Sequence, residues 1–349
     1  MADANAVRTW PNEDLEHLHR CPICGGQERA LLHDDLEDRI FGAAPGRWSL
    51  WRCLSCRCGY LDPRPTRESI GIAYSRYFSR RAAEPRSPPQ GLDRLREGLR
   101  NGYLNRRYGY SLEPAHRAGR VLMPLFPKRR RNAEVIVRGL RKPTERPRLL
   151  DVGFGDASFL RFMSSAGWDI AGLEVDQRAV AAARASGLDV QAGLIEDATY
   201  EPASFDAITL SHVIEHLHDP IRALEACRRF LRPDGVLWLA TPNLDSPGSR
   251  RFGANWFGLD PPRHLVLFGH RALRYTLRKA GFVELGNVRT SRAGLVLAGS
   301  EALATGGDAA SATTPASPRL RRLARVLDVA AAAHPRFGEE LVAVARRPG

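Results

Sequence analysis

Residues 149–160 read LLDVGFGDASFL. The apolar run Leu149-Leu150-Asp151-Val152 predicts a buried strand, and Gly153-Phe154-Gly155 turns it sharply into a helix expected to start at Asp156. Glycines at such a corner let the backbone approach a ligand, and the helix that follows offers free N–H groups. An ordinary strand–turn–helix corner gives the same pattern, so the flanking residues must decide.

Two ligand classes use this corner: dinucleotides and S-adenosylmethionine (SAM). The dinucleotide fingerprint asks for a third small residue three places after the second glycine, where Ser158 stands. The SAM version asks for it two places after, where Ala157 stands. Asp151, two places before Gly153, is awkward beside a pyrophosphate and useful near the α-amino group of a methionine moiety. The acid expected on the ribose hydroxyls is Glu174, 19 residues after Gly155 at the end of the next predicted strand. Ile195 can pack on the adenine, and Glu196 or Asp197 can accept from its amine; an exposed acid at a helix start is the plain alternative for Glu196. The cofactor-binding set is then Asp151, Gly153, Phe154, Gly155, Asp156, Glu174, Val175, Ile195, Glu196, Ser211 and His212.

The chain divides by composition into a Cys-bearing segment 1–75, a basic, partly helical segment 76–145 and an α/β segment 146–349. In the last, strands are expected at 148–154, 169–175, 188–193, 205–213 and 236–242, with helices at 156–167, 177–186, 219–232 and 270–280. This alternation argues for a parallel sheet. Pro233-Asp234-Gly235 reads as a turn, 282–290 and 340–347 as two further strands, 300–318 as a mobile loop and 319–334 as a basic amphipathic helix.

Two CxxC pairs, Cys21/Cys24 and Cys53/Cys56, can supply four thiolates to a structural tetrahedral Zn²⁺, with Cys58 as a substitute for Cys56. Five of the six cysteines precede residue 60. Without an apolar leader in MADANAVRTW, such clustering favours metal over disulfides and a cytoplasmic location. No apolar run is long enough to span a membrane. The net charge is +13, almost all from arginine, and it concentrates between about 76 and 148, peaking at Lys128-Arg129-Arg130-Arg131. Nucleic acid, anionic lipid or an acidic glycan could meet this stripe; so could water alone.

The fourth predicted strand ends in SHVIEHLHDP, residues 211–220. Parallel sheets bind ligands beyond the carboxyl ends of their strands, which makes Glu215 and His216 candidates for catalysis. If this segment were helical, His212 and His216 would share a face with Glu215 beside it, a set able to hold a divalent metal or supply a base. An insertion at 243–268 carries Asn255, Trp256 and Phe257, suited to stacking on an acceptor, Arg263, suited to its phosphate or carboxylate, and His264, a second candidate base.

Together, CPICGG (21–26), RCLSC (52–56), GYLDPRP (59–65), the glycine turn, AGLEVD (171–176), FDAITLSHVIEHLHDP (205–220), LRPDGVLWLATPN (231–243) and PPRHLVLF (261–268) resemble a class I SAM-dependent methyltransferase. The resemblance is to bacterial members with an N-terminal zinc ribbon that modify sugars, polysaccharides or natural products. It implies an α/β, Rossmann-like, seven-stranded sheet with a small zinc-ribbon domain, SAM and structural zinc as cofactors, and a small-molecule or glycan acceptor. Related ubiquinone-type O-methyltransferases carry Glu where His212 stands, in an E-x-x-E-H metal set. An RNA or protein methyltransferase and a degenerate SAM-binding regulator are the competing readings. Residue types say nothing of oligomeric state.

Overall fold

The computed structural model describes residues 9–75, 90–287, 293–307, 309 and 316–349. In chain order the strands are β1 (Leu15–Glu16), β2 (Arg29–Leu36), β3 (Trp48–Cys53), β4 (Gly59–Leu61), β5 (Arg64–Pro65), β6 (Arg148–Val152), β7 (Asp169–Glu174), β8 (Val190–Ala192), β9 (Phe205–Ser211), β10 (Leu231–Pro242), β11 (Val266–Leu267), β12 (Val283–Asn287) and β13 (Glu340–Arg346). The helices are α1 (Gly91–Tyr108), α2 (Gly119–Leu122), α3 (Pro127–Ile136), α4 (Ser158–Ser165), α5 (Gln177–Ala185), α6 (Pro220–Phe230), α7 (Pro247–Phe252), α8 (His270–Lys279), α9 (Ala293–Ala304) and α10 (Pro318–Ala333). The described chain forms two compact units, one of residues 9–75, 212–225 and 239–345, the other of 90–211, 226–238 and 346–349. Helix α6 and strand β10 pass from one to the other.

The second unit holds the parallel β/α part, with strands ordered β10-β9-β6-β7-β8. Strand β6 pairs in parallel with β7 (Asp151 opposite Gly172) and with β9 (Asp151 opposite Thr209). Its residues Leu149 and Leu150 are both fully buried, as expected where helices cover both faces of a sheet. Gly172 is required here: a Cβ would come within 2.8 Å of Leu160, Phe154 and Val190. Its absence lets the glycine turn and α4 lie close on β7.

The other unit carries the Cys-bearing segment. Strands β2, β3 and β4 form an antiparallel sheet that β11 completes, in the order β11-β4-β3-β2. Trp10, Leu36, Trp48, Leu50 and Leu61 share one core with Leu244, Trp256, Leu259 and Leu267. The boundaries 1–75, 76–145 and 146–349 therefore do not mark these units, because the 243–268 insertion supplies both a strand and four buried residues of that core. In the same unit β12, β13 and β10 are neighbours in that order.

Several elements differ from the sequence expectation. Helix α4 starts at Ser158 rather than Asp156, because Gly153, Gly155 and Ala157 all take positive φ and prolong the turn. Strand β10 begins at Leu231, and the expected 233–235 turn lies inside it as Asp234 at φ 62°, flanked by ladder bonds from Asp234 N to Arg347 O and from Arg347 N to Gly235 O. Where a loop was expected from 300, α9 runs to Ala304; Leu297 is buried and the Ser300 hydroxyl donates to Val296 O. Residues 288–290, 308 and 310–315 of the expected strand and loop lie outside the described residues. No described helix is long and apolar enough to cross a membrane.

The insertion also overturns two expectations. Trp256 is 1% exposed and its indole N–H donates to Glu339, so it is a core residue and offers no stacking face. Arg263 is wholly buried: its guanidinium donates to Asp38 at 2.6 and 2.9 Å, to Asp260 and to Ala73 O at 3.0 Å. Its donors are consumed inside the unit, and no acceptor anion is needed to satisfy them. Burial by itself would raise the pKa of Asp38, but Arg263 and the Ala44 and Phe41 N–H groups override it and lower it to about 2. Cutting one partner out of a buried ion cluster strands the other charge, at a cost of ~3–5 kcal/mol. Asp38→Asn is expected to lower unfolding stability by about 3 kcal/mol in urea titrations at neutral pH. An unchanged midpoint would show that the cluster is not stabilising.

Candidate functional site

In the parallel unit the two predicted acids stand at the carboxyl ends of β6 and β7. Glu174 is buried, with Oε2 accepting from Gly155 N at 2.9 Å and Oε1 from Val175 N at 2.8 Å and Asp176 N at 3.2 Å. It thus clamps the glycine turn to the end of β7. Asp176 instead caps α5 through Arg178 N. Phe154 and Ile195 are buried, Glu196 is 8% exposed rather than a solvated helix-start acid, and Val175 is exposed. Asp156 accepts from Ser158 N, and Ser211 ends β9.

Asp151 carries a partner that the sequence did not mark. Its Oδ1 accepts from Thr209 Oγ1 at 2.7 Å and from the Arg138 guanidinium at 2.5 Å. Arg138 sits at φ 51°, with its guanidinium carbon 3.5 Å from the Phe159 ring centroid and 5.0 Å from that of Trp238. It is one of many arginines between 76 and 148, and only the fold singles it out. The carboxylate expected at the SAM ammonium group thus already carries a guanidinium and a hydroxyl on Oδ1.

In the other unit, SHVIEH does not form one helix. His212 takes φ 56°, and only Ile214–His216 makes a helical turn, so His212 and His216 do not share a face. Glu215 is fully buried; it pairs with His212 Nδ1 at 3.2 Å and accepts from Thr241 Oγ1 at 3.0 Å. His212 Nε2 pairs with Glu340 at 2.6 Å. Burial would lower the pKa of His212, yet the two carboxylates outweigh it and raise it to about 9. Glu215 shows the converse: burial would raise its pKa, and His212 brings it down to about 2.

His216 and His264 face each other, ring centroids 4.7 Å apart. His216 Nδ1 lies 3.0 Å from Arg263 O and 2.9 Å from the Tyr74 hydroxyl, and His264 Nδ1 lies 2.9 Å from Gly258 O. A carbonyl only accepts, so each Nδ1 carries a proton. Burial, and then the neighbouring His264, push the pKa of His216 down to about 4. It is therefore a neutral imidazole at physiological pH. Ligating atoms of Glu215, His216 and His264 all lie within 4.8 Å of one another. The trio whose geometry could hold a cation therefore contains His264 in place of His212, which is engaged by two carboxylates.

The four cysteines expected to bind metal do converge. Cys21, Cys24, Cys53 and Cys56 place their sulfurs within 4.8 Å of one another. Amide N–H groups of Ile23 and Gly26 point at Cys21 and Cys24 Sγ, 3.4 Å away in each case. The two knuckles match: Gly25 at φ 76° follows Cys24 and Arg57 at φ 71° follows Cys56. Cys58 then occupies the place of Gly26, and its sulfur lies 3.4 Å from those of Cys21 and Cys56.

The His212 pair gives a pH signature. A raised pKa contributes stability in full below about 6.5 and loses it as pH climbs to about 9. The stability difference between the wild type and His212→Gln, read from urea melts, should shrink steadily across that window. A difference independent of pH would remove the imidazolium assignment.

A family model described as "Methyltransferase domain" matches residues 115–285. Ubiquinone biosynthesis O-methyltransferase of Xanthomonas campestris pv. campestris is 34% identical over 103 residues, 28% of this chain and 43% of that protein. The enzyme of the same name from Thiobacillus denitrificans is 30% identical over 113 residues, 30% of this chain and 49% of that protein. This chain spans less than half the length of these relatives. A solved S-adenosylmethionine dependent methyltransferase from Mesorhizobium loti aligns over 62% of this chain and 98% of that one, at 16% identity and a TM-score of 0.42. The parallel α/β strands and the glycine turn with its acids lie within residues 115–285, the stretch that matches the methyltransferase family model.

Proposed function

We propose that this protein transfers a methyl group from SAM to an oxygen or carbon of a small-molecule or glycan acceptor, with His216 as general base. The observation that carries the reading is the His216 imidazole, held neutral with Nδ1 fixed on Arg263 O and Nε2 as its basic lone pair. The relatives named as ubiquinone biosynthesis O-methyltransferases support a small-molecule acceptor. Strand orders β10-β9-β6-β7-β8 and β12-β13-β10 support the seven-stranded class I sheet.

Bound SAM supplies a methyl group that is already electrophilic. The turn 153–155 and Glu174 would hold its ribose, Asp151 its ammonium group, and Ile195 and Glu196 its adenine. Phe154, Asp156, Val175 and Ser211 shape the rest of that site. His212, engaged by two carboxylates, positions Glu215. His216 Nε2 would take the acceptor proton as the acceptor atom bonds to the methyl carbon and the methyl–sulfur bond breaks, its electron pair going to sulfur; buried Glu215 would stabilise the imidazolium produced. The Tyr74 hydroxyl, 2.9 Å from His216 Nδ1, shares that nitrogen with Arg263 O and helps fix the ring. His264 orients its neighbour and serves as the second candidate base. A base of this kind contributes ~10²–10⁴-fold. His216→Ala should therefore lose at least ~10²-fold in SAM turnover against a panel of sugar nucleotides and phenols, while calorimetry shows SAM binding intact. Glu174→Ala should do the reverse and weaken SAM binding about tenfold or more, since it cuts the clamp on Gly155. Full activity of His216→Ala would sink the base assignment.

Cys21, Cys24, Cys53 and Cys56 are proposed to hold one structural Zn²⁺, with all four positions closed to substrate. The repeated knuckle geometry favours Cys56 over Cys58 as the fourth ligand. Metal analysis should find about one zinc per chain. Cys56→Ser should lose the metal and melt earlier, and Cys58→Ser should retain it. The opposite pattern would transfer the role to Cys58.

A further inference from the structure

Residues 114–133 contain six basic residues and no acid. Helices α2 and α3, with the 3-10 turn Met123–Leu125 between them, present this stretch at the surface of the parallel unit. Met123, Ala133 and Val137 are its buried anchors. Other apolar side chains of the stretch are exposed: Val121 and Leu125 each 69% and Phe126 49%, with Leu122, Val135 and Ile136 exposed as well. Isolated exposed leucines are ordinary, but a contiguous apolar tip is not. Lys128, Arg129, Arg130 and Arg131 follow directly on that tip.

We propose that the 121–131 tip docks on an anionic phospholipid surface, with Val121, Leu122, Leu125 and Phe126 entering the acyl boundary and Lys128, Arg129 and Arg131 meeting lipid phosphates. Two independent requirements point to this partner. The charge calls for an anionic surface, which RNA would also satisfy. The apolar tip calls for a medium that accepts leucine and phenylalanine side chains, which a phosphate backbone does not. Arg129 stacks over Phe126 at 5.4 Å, keeping a cation at the edge of the apolar tip, where headgroups lie. Arg130 is turned toward Glu134 instead, 3.9 Å away. The segment adds to the methyltransfer reading and does not depend on it.

The full chain should sediment with phosphatidylcholine vesicles containing phosphatidylglycerol at about 0.1 M salt and not with phosphatidylcholine alone. Leu125→Ser with Phe126→Ser, and separately Lys128→Glu with Arg129→Glu and Arg131→Glu, should each cut binding by roughly tenfold or more. Leu125, Phe126, Lys128 and Arg129 are exposed and Arg131 is half-buried, so circular dichroism and SAM calorimetry should match the wild type. Phe126→Trp should give a blue-shifted emission only on anionic vesicles, a readout that needs no loss of function. No sedimentation with anionic vesicles, binding that survives both variant sets, or an unshifted emission overturns the proposal. So does tighter binding to single-stranded RNA that the Leu125/Phe126 variant leaves intact.

Discussion

The ion cluster at Arg263 is the interaction on which one half of the molecule depends. Its guanidinium is sealed between Asp38, 225 residues away in sequence, and Asp260 in its own loop. An arginine can be buried only if nearly every donor is matched, and Asp38, Asp260 and Ala73 O do that. The backbone of the same residue accepts from His216, and the next residue is His264. A charge cluster without chemistry of its own therefore sets the height and orientation of both histidines. The insertion that carries it is consequently part of a core, sharing Trp256 and Leu267 with Trp48 and Leu61.

The two centres are built by different physics. At the glycine turn the constraint is backbone: positive φ at Gly153, Gly155 and Ala157, with Glu174 tying the turn to β7. At Glu215 the constraint is charge. A carboxylate with no exposed surface is tolerated because His212 and Thr241 satisfy it, and His212 is in turn held by Glu340. That arrangement separates the two histidines of SHVIEH into opposite protonation states, one an imidazolium and the other a neutral base. Environments that drive neighbouring groups apart in pKa let one segment hold one imidazole charged and another neutral.

The parallel strands, the glycine corner, its two acids and the cysteine pairs were legible in the sequence because each depends on short-range spacing. Alternating apolar runs fix strands and helices to within a few residues, and a glycine corner between a strand and a helix leaves few other foldings. CxxC pairs declare themselves through a local knuckle. These features give the α/β fold class and mark the candidate cofactor and metal positions without reference to tertiary contacts.

What only the tertiary structure decided concerns side chains whose partners lie far away in sequence. Arg138 is one arginine among many until Asp151 meets it, and Arg263 reads as an anion binder until Asp38 arrives from the N-terminal sheet. Trp256 reads as a stacking platform until Glu339 takes its N–H. His212 reads as one face of a helix until its positive φ turns it to Glu340. The sequence by itself determined where backbone and spacing dictate geometry. Burial and charge pairing across the chain decided what each polar side chain does there, because the cost of an unmatched buried charge is set by partners that no local pattern reveals.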